Sequence, residues 1–528
     1  MTTDSNHSPN GAADDNPDDI PDENPYENGS KVNSFAAIDL GSNSFHMLLA
    51  EPQGALIRGI DSLRHPVRLG AGLDDQGALT QETRERALDS LSQFAERLRG
   101  VPLSNVRMVG TNTLRRARNA SDFLREARQL IGKPIEIISG REEARLIYLA
   151  IAHTQPDASR RRLVVDIGGG STELIIGRGM EPELMESTEM GCVTFTNHYL
   201  GDAGRIGNSQ MKKATIAAEL ELDPIARSYR HLGWDDVIGC SGTIKATSLM
   251  LGELGLSDGT ITRDALRRLA KRIASAGSVE SLGLESISSD RAQVVAGGIA
   301  VLRGVFNALE IESMQASTVA LREGLIFDMI GRKEHVDLQQ RTTQALASRF
   351  SIDQRQADLV EATATRLFHE VADTWQLDET IDLPLLQWAA RLHEIGLGVS
   401  HSQYHRHGAY LLKHSDLLGF SQVEQNAIAL LVGFHRRKLD KEEFTNLPDA
   451  DAERLLRLLV LLRLAALLHR GRHDEASDGL SLKVRNNGLV IKLSHDWART
   501  HPLTWAELSA EAERLTDIDI RLRMKQSG

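Results

Sequence analysis

The sequence has little cysteine, no long apolar run and no net positive charge. Of its 528 residues only two are cysteine, Cys192 and Cys240. They lie far apart without metal-ligand spacing, so no disulfide framework is expected and a reducing compartment fits. No apolar run reaches the roughly 18 residues that span a bilayer. The N-terminus lacks a basic-then-apolar pattern, so no signal peptide is expected. The formal net charge is -12, which at first argues against a polyanionic partner, nucleic acid included. With 41% hydrophobic and 25% charged residues, the composition is that of ordinary globular protein. The length suits three or four domains.

The negative charge is uneven. Residues 1–33 hold eight carboxylates and one base, Lys31, so this segment carries seven of the net negative charges. It is rich in Asn, Asp and Pro, and reads as a disordered acidic tail. Beyond it, basic residues cluster at Arg115, Arg116 and Arg118, at Arg160–Arg162, at Arg267, Arg268, Lys271 and Arg272, and at Arg436, Arg437 and Lys438. Most such clusters are solvated faces; a minority can line one anion path.

What the chain does contain is a repeated hairpin. Leu163–Gly177 runs apolar to Asp166, turns through Gly168, Gly169, Gly170, Ser171 and Thr172, and returns from Glu173. This is a strand, a glycine turn and a second strand. Asp166 and Glu173 flank the mouth of the turn. Glycine lets backbone N–H groups approach an anion closely. Two carboxylates beside such donors suit a divalent cation holding a phosphate. An ordinary hairpin with a flexible loop is the plain alternative.

A copy lies 127 residues earlier. Ala36–Gly41 matches Leu163–Gly168, so Asp39 stands for Asp166, Ser44 for Ser171 and His46 for Glu173. A second feature repeats in step. Val106–Val109 leads into Gly110-Thr111-Asn112-Thr113, and Val237-Ile238 leads into Gly239-Cys240-Ser241-Gly242-Thr243. Two matched features at matched intervals imply two homologous α/β halves around a cleft. Between them, Ser139 and Glu142 fit a capping box at a helix start. Glu143 needs no capping role. In the first turn of that helix it can accept a proton from a water aimed at phosphorus, or simply favour the helix dipole.

Together the segments Ala37–His46, Gly110–Arg115, Ile138–Ile147, Val165–Leu174 and Gly239–Ala246 resemble the exopolyphosphatase / guanosine pentaphosphate phosphohydrolase family, of the actin, sugar-kinase and heat-shock ATPase superfamily. The resemblance runs from about Ser34 to the C-terminus. It implies two RNase H-like halves around a cleft, over residues 34–157 and 158–332. An all-α HD-like domain over 333–470 and a small α+β domain over 471–528 are expected to follow. It implies Glu143 as catalytic base and Mg²⁺ on Asp166 and Glu173. Asp39, Ser42, Asn43, Ser44, Arg115 and the Gly168–Ser171 turn fall on phosphate contacts, as does the Ser241-Gly242-Thr243 loop, which corresponds to the second-half loop that holds adenosine in the kinase relatives. The implied activity is stepwise hydrolysis of terminal phosphate from inorganic polyphosphate, or of the 5′ γ-phosphate of guanosine pentaphosphate. Gly168–Gly170, Thr243–Lys245 and His405-Arg406-His407 look closer to the long exopolyphosphatases, so polyphosphate is the leading expectation. A kinase or ATPase of the superfamily would need a purine pocket and an acceptor site. A non-catalytic sensor would not need Glu143. The family further suggests a cytoplasmic homodimer, with peripheral attachment to the inner membrane face as a further expectation.

From Asp337 the pattern is helical, with histidines at 393, 401, 405, 407, 414 and 435. Leu392–Leu397 looks like the HD-phosphohydrolase motif with Glu394 in place of Asp, and Ser415 rather than Asp follows His414. Lys245, Arg267, His405, Arg406, His407, Arg436 and Arg437 are candidates for holding a long polyanion. Arg322 and Glu323 are expected to pair structurally. Leu480–Arg485 and Leu489–Leu493 flank an Asn-Asn-Gly turn and read as a hairpin.

Overall fold

The computed structural model describes residues 33–528 apart from 54–55, 75, 156, 201–204, 335–337, 416, 440, 445–448, 473–479, 486–487 and 528. The acidic tail and the Asn486-Asn487 turn therefore lie outside the described residues, Asn33 excepted.

The first sheet contains β1 (Phe35–Leu40), β2 (Phe45–Gln53), β3 (Leu56–His65), β4 (Val106–Gly110) and β5 (Glu136–Ile137), ordered β3-β2-β1-β4-β5. The first three are antiparallel; β4 and β5 run parallel to β1. The second sheet contains β6 (Arg161–Ile167), β7 (Thr172–Arg178), β8 (Glu181–Thr188), β9 (Asp236–Cys240), β10 (Ile261–Thr262) and β11 (Ser313–Ala316). Its order is β10-β11-β9-β6-β7-β8. From β8 to β11 it repeats the first sheet strand for strand, the same antiparallel trio followed by parallel neighbours. The repeat seen in the motifs is thus a repeat of the whole sheet. The strand that precedes the helix Gly140–Thr154 is short, Glu136–Ile137 only.

Two helices bind the halves together. The helix Gly140–Thr154 packs on β7 and β8, while Leu321–Glu334 packs on β1, β2 and the first helix. Ala37 and Val109 from one sheet, Val164 and Ile175 from the other, and Tyr148 and Leu325 from the helices share one apolar core. The cleft therefore has a fixed floor. Among the described residues, Ser289–Leu309 is the one helix long and apolar enough to cross a membrane, although Asp290, Arg291 and Arg303 interrupt its apolar run. It is 72% buried over that window and packs into the core of the second half.

The helical part comprises Leu338–Arg349, Gln354–Trp375, Asp382–Leu392, Tyr404–His414, Gln422–Phe434 and Asp449–Leu468. After it come β12 (Ser481–Arg485), β13 (Gly488–Ser494) and β14 (Arg521–Ser527), with β14 parallel to β13. The end sheet does not keep a core of its own. Leu482, Leu489 and Leu522 join Phe368, Trp388 and Leu459 in one cluster. The buried pair Arg463–Glu511 ties helix Asp449–Leu468 to Pro502–Arg514.

Candidate functional site

The β1–β2 and β6–β7 turns face each other across a cavity of about 610 Å³. Their approach requires glycine. A Cβ on Gly169 would lie 2.9 Å from Ser42 Cβ, and one on Gly170 would lie 2.5 Å from Asn112 Oδ1. Strand register fixes the residues at the turn mouths. Asp39 pairs with His46, and Asp166 pairs with Glu173. A third loop enters at Ser241, which holds φ 78 as it opens the helix Ser241–Glu253. A non-glycine residue there stores strain, of order 1–3 kcal/mol, and such strain collects at functional loops. The Ser241 hydroxyl donates to Ile167 O at 2.9 Å, so this loop is bonded to the end of β6.

Carboxylates gather at the base. Asp39, Glu143 and Asp166 line the cavity. Burial, then the charge of Glu143, pushes Asp39 up to about 7. Burial, then Glu143 and Asp39, pushes Asp166 up to about 8. Glu143 is raised by burial, against the pull of Arg115. Arg115 Nη1 lies 3.3 Å from Glu143 Oε2 and also donates to Ile138 O at 2.7 Å. Asp39 Oδ1 is buried with no hydrogen-bond partner among the described residues. Mutually repelling carboxylates with an unpartnered oxygen fit a divalent cation. Mg²⁺ needs only one or two protein carboxylates when phosphates and waters complete its shell. That fits a site in which no three His, Cys, Asp or Glu converge as a ready cage among the described residues.

The opposite wall is cationic. Arg64, Lys245, Arg291 and Arg322 line the cavity. Arg322 Nη1 donates toward His46 Nδ1 at 3.2 Å. Burial, followed by the charges of Arg322, Arg64 and Arg291, pushes His46 down to about 3, so its ring is neutral at pH 7. Sequence reasoning missed Arg64 and Arg291 and gave Arg322 a structural role. Arg322 sits 4.0 Å from Glu323. That is the expected pair at its longest, and Glu323 also accepts the Ala320 N–H at 2.8 Å.

Of the expected site residues, Asp39, Ser42, Asn43, Ser44, Glu143, Asp166, Gly168–Ser171, Ser241, Gly242, Thr243 and Lys245 come together around the cavity. Others do not. Glu173 lies outside its lining; its carboxylate accepts from Ser187 Oγ at 2.8 Å, and burial raises it. Arg115 stands behind Glu143 rather than in the cavity. Arg267 is exposed and pairs with Asp264 one turn away. His405 is buried beside Tyr404 and His435, and burial with Arg436 and Arg406 pushes it down to about 4. A neutral ring cannot attract a phosphate by charge. Arg436 stacks over Tyr404 at 4.7 Å. Together with Arg406, His407 and Arg437 it lies in the helical part, outside the cavity lining. Both oxygens of the Glu394 carboxylate accept from Arg472 Nη2, at 3.0 and 3.1 Å. The capping box is half formed. Ser139 Oγ accepts from Glu142 N, but the Glu142 carboxylate turns to Arg145 and to the Gly419 N–H.

Comparison with known proteins gives a consistent result. The Ppx/GppA phosphatase family model matches residues 49–333, and its domain III model matches residues 338–512. A guanosine-5′-triphosphate,3′-diphosphate pyrophosphatase of Vibrio cholerae is 39% identical over 490 residues, covering 92% of this chain and 96% of the relative. One from Vibrio vulnificus is 40% identical over 487 residues, with the same coverage. An exopolyphosphatase crystal structure from Cytophaga hutchinsonii covers 57% of this chain and 98% of its own, with TM-score 0.52 and 24% identity, and so shares the fold.

Proposed function

Because the chain belongs to the Ppx/GppA phosphatase family, we propose that it hydrolyses the terminal 5′-phosphate of guanosine 5′-triphosphate,3′-diphosphate. One observation carries this reading: the Vibrio relatives bearing that name align through nearly the whole of both chains. It outweighs the expectation of an exopolyphosphatase, which rested on short stretches, one of them (His405–His407) outside the cavity. Polyphosphate is the second reading, supported by a cationic wall that would hold any chain of phosphates.

The terminal phosphate is read as sitting between the two turns. Backbone N–H groups and the guanidinium groups of Arg64, Arg291 and Arg322 offset its charge. Glu143 takes the proton from a water that attacks the γ-phosphorus. The bond to the bridging oxygen breaks, and orthophosphate and the 5′-diphosphate leave. A divalent cation, magnesium in this reading, would be held by Asp166 and Asp39 beside the phosphates and would supply charge neutralisation there. Glu173 then acts from behind Asp166 rather than as a ligand.

The test offers purified protein both substrates in one vessel and follows orthophosphate from each. Preferential hydrolysis of the nucleotide is expected. Preferential hydrolysis of polyphosphate would reverse the order of the two readings.

A further inference from the structure

A second concave surface, of about 610 Å³, shares no lining residue with the cleft. Helix Arg263–Ala276 forms one side of it; the turn after helix Ser241–Glu253 and Leu282 form the other. Leu254, Leu256 and Leu282 supply apolar walls, and Arg268, Lys271 and Arg272 line the same groove. Backbone carbonyls fix two of these cations: Arg268 donates to Leu256 O at 2.8 Å and Arg272 to Leu254 O at 3.3 Å. Arg268 pairs with Asp264 at 2.9 Å, whereas Lys271 and Arg272 have no carboxylate partner among the described residues. Like charges four residues apart repel along a helix, and Arg267 with Lys271 and Arg268 with Arg272 both stand at that spacing. The repulsion destabilises the helix until an anion offsets it.

The chain itself supplies such an anion. Asp14–Glu27 carries seven of the eight tail carboxylates, no base, and two large apolar side chains, Ile20 and Tyr26. Pro17, Pro21 and Pro25 disfavour a helix there and favour extended backbone. An extended acidic segment can set carboxylates on the cations and an apolar anchor among the leucines. Fully extended, this segment reaches about 20–65 Å from Asn33, against roughly 40 Å across a domain of about 170 residues. The cleft offers cations too, but its lining includes Asp39, Glu143 and Asp166; the described lining of the groove holds no carboxylate. We infer that the segment Asp14–Glu27 docks in this groove of its own chain, with carboxylates on Arg268, Lys271 and Arg272 and Ile20 against the leucines. Docked there, the tail is kept from the cationic wall of the cleft, where its carboxylates would compete with substrate phosphates.

The test uses the full chain with photoreactive benzoylphenylalanine at residue 26, irradiated and mapped by mass spectrometry. Cross-links within one chain to the Leu254–Leu256 turn or to Leu282 are expected. They should fall about tenfold in the double variant Lys271→Glu, Arg272→Glu, and likewise in about 1 M salt, where the screening length is about 3 Å. Both positions are exposed, so the variant is expected to melt as the wild type does. Adding Asp18→Lys and Asp19→Lys to it should restore the cross-links, which a misfolded groove would not allow. Cross-links to the cleft or scattered over the surface, their persistence in the double variant, or no rescue by the charge swap overturns the docking. Cross-linked dimers without cross-linked monomers would make the occupant a second copy and overturn docking within one chain. Phosphatidylglycerol vesicles that bind the wild type but not the double variant, with the groove cross-links absent, would assign the groove to a lipid surface and overturn the tail as its occupant.

Discussion

In the proposed mechanism adjacent glutamates divide labour, and substituting each in turn separates structure from chemistry. Glu142 is fully buried. Its carboxylate takes two bonds of 2.8 Å from Arg145, which reaches Asp328 at 2.7 Å; Arg107 continues from Asp328 at 2.6 Å to Glu136 at 3.0 Å. The Gly419 N–H closes on Glu142 at 3.0 Å, so the same carboxylate docks the helical part. Breaking a buried ion pair costs about 3–5 kcal/mol, because the partner charge stays buried. At about 2–4 °C per kcal/mol for a domain of 150–250 residues, Glu142→Gln should lower Tm by roughly 10 °C. Turnover at temperatures where that variant is folded should persist. Glu143→Gln should do the reverse. The residue is buried against its own preference for ionisation. Neutralising it therefore costs little stability beyond its one 3.3 Å contact with Arg115, while loss of a general base costs about 10²–10⁴-fold in rate. Calorimetry and orthophosphate release on both variants make the check. The reasoning fails if Glu143→Gln turns over at a near-wild-type rate, or if Glu142→Gln is as stable as the wild type.

Three further outcomes are expected. Arg322→Ala should lower kcat by about 10²-fold, the size of one lost transition-state donor, and His46→Ala should lower it less, since it only frees Arg322 to swing; equal kcat in all three proteins would refute this order. In metal-free protein, Asp39 and Asp166 hold protons in the folded state that the unfolded chain has already lost, so stability falls as pH rises from 6.5 to 8, by about 2 kcal/mol. That window lies above the titration of His46 and His405; denaturation with chelator and with Mg²⁺ should show the slope only with chelator, and a rising slope would contradict it. Gly169→Ala should cut activity while leaving the circular dichroism spectrum unchanged, because its methyl group would press on Ser42 of the opposite turn.

The frame was legible in the sequence because its signals are local. Alternation, glycine turns and the spacing from Asp39 and Asp166 depend on neighbours only, and the strand register follows from them. The failures involve partners far along the chain. Ser139 caps its helix as the motif implies, but Glu142 is drawn off by Gly419, 277 residues away. Arg322 reads as half of a local pair, yet its helix crosses beneath the first sheet and aims it at His46, 276 residues away. Arg64 and Arg291 look like ordinary charges on an edge strand and a helix start. Only the facing of two lobes makes them one wall. The end hairpin was visible, whereas β14, which arrives after two helices to pair in parallel, was not.

The duplication also explains why the cleft is polarised rather than symmetric. Both halves place an aspartate at the end of the central strand and one residue opposite it on the returning strand. In the second half that residue is Glu173, a further buried carboxylate, raised by burial first and then by Glu143 and Asp166. In the first it is His46, kept neutral by burial and by three arginines, so that it accepts Arg322 instead of repelling or trapping it. A carboxylate at residue 46 would lock Arg322 in an ion pair and take it from the substrate. A histidine at residue 173 would thin the acidic side. One divergence at one register position thus gives a cationic wall facing an acidic floor. A cation bound at that floor would displace the protons its carboxylates hold and add positive charge facing the substrate phosphates, so substrate and metal are expected to bind cooperatively in this cleft.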